Sequence, residues 1–113
     1  MNFQRRYLRF LSVGSSLPDS GRPLEIPFPV DSEVLGFSPQ DLEFVFSAPA
    51  LNSDPRAMSS VSRLVWAVRV GDEIPHGAQV GNMVAVVSHG PGKLVVFVET
   101  EKQALARLAA TRR

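Results

Sequence analysis

The sequence predicts a mainly β fold of the α+β kind. It would be an antiparallel sheet, small sandwich or partly open barrel of about five to six strands, closed by one C-terminal helix. Three observations carry this. Short apolar runs with two-residue alternation recur and are separated by Gly, Pro, Asn and Asp clusters. The segment 93–99, KLVVFVE, is an unbroken apolar strand pattern. The tail, TEKQALARLAATRR, then switches to strong helix formers.

Taken in order, residues 3–13 mix aromatic and branched residues with charges and predict a first strand, with Arg5, Arg6 and Arg9 on a solvated face. RRYLRFL superficially resembles a twin-arginine export signal, but Arg9 interrupts the apolar segment such a signal needs, so the strand is preferred. Residues 15–23 are turn chemistry. LEIPFPV (24–30) is extended, and Pro27 and Pro29, lacking amide donors, place it at a sheet edge. Ser38, Pro39 and Asp41 form a helix-start signature, predicting one helical turn that feeds a strand at about 42–47. Residues 47–60 form the longest loop. Over 61–70, Leu64, Trp66, Val68 and Val70 alternate with Val61, Arg63, Val65, Ala67 and Arg69, as in a half-buried antiparallel strand. GDEIPHG (71–77) is a turn, 78–88 a second strand bulged near Gly81 and Asn82, HGPG a turn, and 93–99 a central third strand. The expected arrangement is three antiparallel strands in succession. Thr100 and Gln103 have capping-box spacing, so a helix is expected over about 101–111, docked by Leu105, Leu108 and Ala109 with Ala104 and Arg112 alongside.

A chain of 113 residues is one domain by length, with 44% apolar and 20% charged residues, enough for a core without staples. Cysteine is absent, which removes disulfides, thiolate catalysis and Cys-based zinc sites. No apolar run approaches the roughly 20 residues that span a bilayer. Neither a membrane nor a cofactor is expected, and a cytoplasmic location fits.

Chemical motifs fail on spacing. His76 and His89 flank a predicted strand that would hold their rings roughly 40 Å apart, too far to share a metal. None of the serines lies in a G-x-S-x-G elbow, and no glycine cluster leads directly into a helix as a phosphate loop must. Asp72 and Glu73 are solvated turn charges. VGDEIPHGAQV and VETEK are similar to pieces of the biotinyl and lipoyl carrier domains, a resemblance that would nominate Lys102 for modification. It covers two short segments, and a whole additional hairpin stands between them where that family has a single one. The resemblance is not adopted.

Charge is distributed unevenly: +3 over residues 1–16, −6 over 17–101 and +4 over 102–113, for a net +1. Two functional expectations follow. The first is a non-catalytic protein–protein interaction domain, a small accessory or inhibitor-type protein of a bacterium or bacteriophage. It would act by surface or sheet-edge contact, with Phe28 as the contact residue and self-association as a homodimer. The competing expectation is a nucleic-acid-associated protein using a basic pole of Arg5, Arg6, Arg9, Arg107, Arg112 and Arg113. A small-ligand pocket beside Trp66 is the third expectation.

Overall fold

The structure is a computed structural model, and it describes residues 6–14, 16–49 and 59–111. Among the described residues, seven strands form two antiparallel sheets packed face to face. β1 (Tyr7–Ser12), β4 (Glu43–Ala48) and β3 (Glu33–Ser38) make a three-stranded sheet in the order β1-β4-β3. β2 (Leu24–Pro29), β5 (Ser60–Arg69), β7 (Gly92–Val98) and β6 (Asn82–His89) make a four-stranded sheet in the order β2-β5-β7-β6. A short helix, α1 (His76–Gln79), precedes β6, and α2 (Glu101–Thr111) ends the described chain. The expected mainly β fold ending in a helix is what the structure shows, in its sandwich form with no closed barrel, and seven strands lie among the described residues.

The core lies between the sheets. Ile26 and Phe28 from β2, Val65 from β5, Val96 and Val98 from β7, and Val87 from β6 face Phe37 and Phe44 of the smaller sheet. Phe28 is its hub, edge-on to Phe44 at 5.5 Å and to Phe46 at 6.1 Å. Such aromatic pairs add about 0.5–1.5 kcal/mol each beyond area burial.

Several expectations are corrected. The helix-start signature at Ser38–Asp41 makes a turn instead. Ser38 Oγ donates to the Asp41 carboxylate at 3.2 Å, and Leu42 takes a left-handed conformation (φ 52°), closing a hairpin between β3 and β4. β3 has no counterpart among the expected elements. β5 is buried on both faces over residues 65–68 rather than half-buried, because it is an interior strand and its second face is covered. The three strands of the second half are not paired in succession. β5 and β6 both pair antiparallel with β7 and so run parallel to one another. Parallel strands require a crossover connection. Residues 70–81 supply it, and α1 lies within it, so this segment is not a tight turn. Ala78 packs with Trp66 and Val68 as a second cluster, flanked by Leu64 and Phe97. Gly77 meets the Trp66 ring so closely that a Cβ there would lie 2.8 Å from it.

The terminal helix spans the expected residues, and its capping box forms reciprocally: Thr100 N donates to Gln103 Oε1 (2.9 Å) and Gln103 N to Thr100 Oγ1 (3.1 Å). Its docked stripe is rotated from the expected one. Ala104 is fully buried and Leu108 half-buried, but Leu105 is exposed and Ala109 faces solvent. Polar contacts complete the docking. β7 ends opposite Val65, leaving the start of β5 without a ladder partner on that side. Arg107 Nη2 donates to Ser62 O at 2.9 Å, and the Glu99 carboxylate accepts from Leu64 N at 3.0 Å.

Candidate interaction surface

The four edge strands differ in how they end their sheets. On one side of the sandwich β3 and β6 approach each other, and both are irregular, with register shifts between Val34 and Gly36 and between Met83 and Ala85. Bulges of this kind spoil an edge for further pairing. On the other side lie β1 and β2. Val30 N donates to Ser59 O, so the even-numbered residues of β2 turn their backbone groups toward β5 and the odd-numbered ones turn outward. Pro27 and Pro29 occupy outward positions. Their missing amides cost the sheet nothing and leave Glu25 as the sole outward donor of the strand. The expected edge placement of this segment holds, but the prolines close the edge rather than offer it.

β1 carries neither device. Its register with β4 runs without a break from Tyr7–Ala48 to Ser12–Glu43. Val13 N donates to Leu42 O, which fixes the alternation: Leu8, Phe10 and Ser12 direct N–H and C=O outward from the edge. The side chains of Leu8 and Phe10 stand on the outer face, 69% and 65% exposed, and Val45 and Leu35 continue that apolar strip across β4 and β3. The solvated face of β1 is therefore the apolar one. Arg9, expected there, shares the inward parity of Leu11. A cleft of about 250 Å³ separates the two edges, walled by Phe10, Leu11, Pro27, Pro29 and Phe46, with Arg9 at its side.

Phe28 is fully buried, so its ring presents no surface to a partner. The alternation Leu24, Ile26, Phe28 already marks the core face of β2. Of the arginines expected in a basic pole, the described ones, Arg6, Arg9 and Arg107, are engaged within the chain. Arg6 donates to Ser47 Oγ (3.1 Å), Ser47 O (3.0 Å) and Asp31 O (2.9 Å), and lies 3.7 Å from the Asp31 carboxylate. Arg107 forks onto buried Glu99 (3.0–3.2 Å) and reaches Glu25 at 3.3 Å. Its hydrogen bond to Glu99 raises it above the ordinary guanidinium value. Burial pulls the other way, and the charges of Glu99 and Glu25 add to the rise. Arg9 is also engaged within the chain. Arg5, Arg112 and Arg113 lie outside the described residues.

A second, polar cavity of about 160 Å³ opens between the start of β3 and the start of α2, lined by Ser32, Glu33, Arg63, Glu99 and Glu101 among others. Arg63 is buried there, its Nη2 donating to Ser32 O (2.7 Å) and Ser32 Oγ (3.2 Å), with the guanidinium 5.4 Å from the Phe28 ring centre. Its Nε has no partner among the described residues. Burial lowers its affinity for the proton, partly offset by Glu101 and Glu99. His76 opens α1 and His89 closes β6. Among the described residues no group of three or more His, Asp or Glu is placed to hold a metal. Lys102 occupies the first turn of α2, not the tip of a β-turn. Trp66 is buried, and the backbone of Gly77 packs against its ring. Among the described residues, no helix is long and apolar enough to cross a membrane. Comparison of the chain with family models, with curated proteins and with solved structures found no match.

Proposed function

We propose that this chain is a non-catalytic interaction domain that binds another protein by accepting an extended segment along the free edge of β1. One observation carries the reading. Among the described edge strands, β1 alone combines an unbroken register, outward backbone donors and acceptors, and exposed apolar side chains. Natural proteins normally blunt such edges; β1 has neither bulge nor proline, with Arg9 as an inward charge, and such an edge is a template for strand addition. Backbone hydrogen bonds would supply affinity, and the alternating side chains Leu8 and Phe10 would supply selectivity. The groups assembled along this edge are amides and apolar side chains, a recognition chemistry rather than a reactive one.

The test is a photo-crosslinking residue at position 10, with position 105, another exposed apolar site on α2, as control. Expected is a protein adduct from position 10 that disappears when Leu8→Pro removes an outward donor. Equal adducts from both positions, or one indifferent to Leu8→Pro, would refute edge recognition. The nucleic-acid alternative is disfavoured by the acids facing Arg6 and Arg107, and no gel shift is expected even at low salt.

A further inference from the structure

We infer that the strand accepted by β1 is β1 of a second copy, so that two sandwiches share one six-stranded sheet through an antiparallel β1–β1 pair centred on Phe10. This rests on the reading of β1 as a docking edge and names its partner.

The hydrogen-bonding pattern of β1 is self-complementary. Leu8, Phe10 and Ser12 all face outward, so a two-fold axis through Phe10 opposes Phe10 to its own copy and Leu8 to Ser12. Every outward donor then meets an outward acceptor. The rival register centred on Arg9 would set two guanidinium groups directly opposite one another, which is repulsive. Centring on Phe10 sets Arg9 against Leu11 instead and pairs two exposed aromatic rings across the new ladder. On the outer face of β1, the exposed side chains Leu8, Phe10 and Ser12 are uncharged, so that face opposes the pairing with no like charges. Arg9 lies on the cleft side and is already engaged in its own chain.

Area sets the strength. Pairing of a six-residue edge is a small contact, at the low end of the size range for specific complexes. The association is therefore weak and concentration-dependent, and visible only well above the dilution used in most assays.

Sedimentation of the full chain from about 5 µM to about 1 mM, with residue-resolved amide exchange at both ends of that range, tests the inference. The expected result is a mass rising from 12.3 kDa toward twice that value, with exchange at Leu8, Phe10 and Ser12 slowed at least about tenfold at the high concentration. Phe10→Pro, which copies the device of β2, and Leu8→Lys should each stay folded by Trp66 fluorescence and remain monomeric. A chain that is monomeric throughout with fast amides at these positions overturns the self-pairing and leaves the edge open to another protein. One that is monomeric with slow amides at every concentration has the edge covered within the chain, and overturns both readings. A dimer that survives both substitutions is formed elsewhere and overturns the self-pairing.

Discussion

Replacement of Arg107 by Met tests how α2 is held. Arg107 makes three contacts of 3.0–3.2 Å to Glu99 and one of 2.9 Å to Ser62 O. The Glu99 side chain is only 7% exposed. Without the arginine, that carboxylate keeps Leu64 N as its one remaining described donor. Breaking a fully buried pair from one side costs about 3–5 kcal/mol. The Arg107 side chain is 25% exposed, so water reaches the pair and the expected loss falls to about 2–3 kcal/mol. In a domain of this size that lowers Tm by about 8–12 °C. Removing both charges, as Arg107→Met with Glu99→Gln, no longer strands a carboxylate. The double variant should recover about 1–2 kcal/mol relative to the sum of the single losses. The assay is urea unfolding followed by the single tryptophan, Trp66, with exposed Lys102→Met as a control expected within about 0.5 kcal/mol of the parent. Strict additivity, or an Arg107→Met loss below about 0.5 kcal/mol, would refute the view that this ion pair anchors the helix.

Three further outcomes are expected. Gly77→Ala pushes a Cβ into the buried Trp66 ring at 2.8–3.1 Å, and should cost about 1–3 kcal/mol while altering the near-ultraviolet dichroism of the indole. Phe28→Ala should cost about 3–5 kcal/mol in denaturant unfolding, a stability effect of the core rather than a loss of partner contact. Thr100→Ala removes one half of the α2 cap and should cost about 1 kcal/mol by thermal unfolding, most of it restored by Thr100→Ser.

Elements specified locally were legible in the sequence. The limits of α2 follow from its capping box and the change to helix-forming residues. The proline pair announced an edge strand, and the double-sided apolar run of β7 announced an interior one. What failed depended on pairing or on backbone conformations that composition does not flag. Ser38, Pro39 and Asp41 suit a helix start and a turn equally, and the turn won because Leu42 accepts a left-handed φ and returns the chain along β3. Alternation in β5 identified two faces but not the cover over the second. Adjacency in sequence favoured successive pairing, whereas β6 lies beyond β7. For the candidate surface, Arg9 pointed to the wrong wet face, because both parities of YLRFLS carry apolar residues and only the core contacts of Leu11 decide between them. Phe28 lies in the core, a placement that its spacing with Leu24 and Ile26 makes readable. The open edge of β1 had no local signal, since an edge is defined by which strand is missing.

The crossover between β5 and β6 also imposes an order of assembly. β6 and β7 are joined by two residues, Gly90 and Pro91, and such a hairpin can zip within microseconds. β5 must then dock on the far side of β7 while the intervening segment is laid across it, and β1 must find β4 across two intervening strands of the chain. Closure of these long loops precedes any reward from the contacts they bring, so the chain belongs among the millisecond-to-second folders despite its modest length. Trp66 lies on β5, so its indole changes environment when that strand joins the sheet.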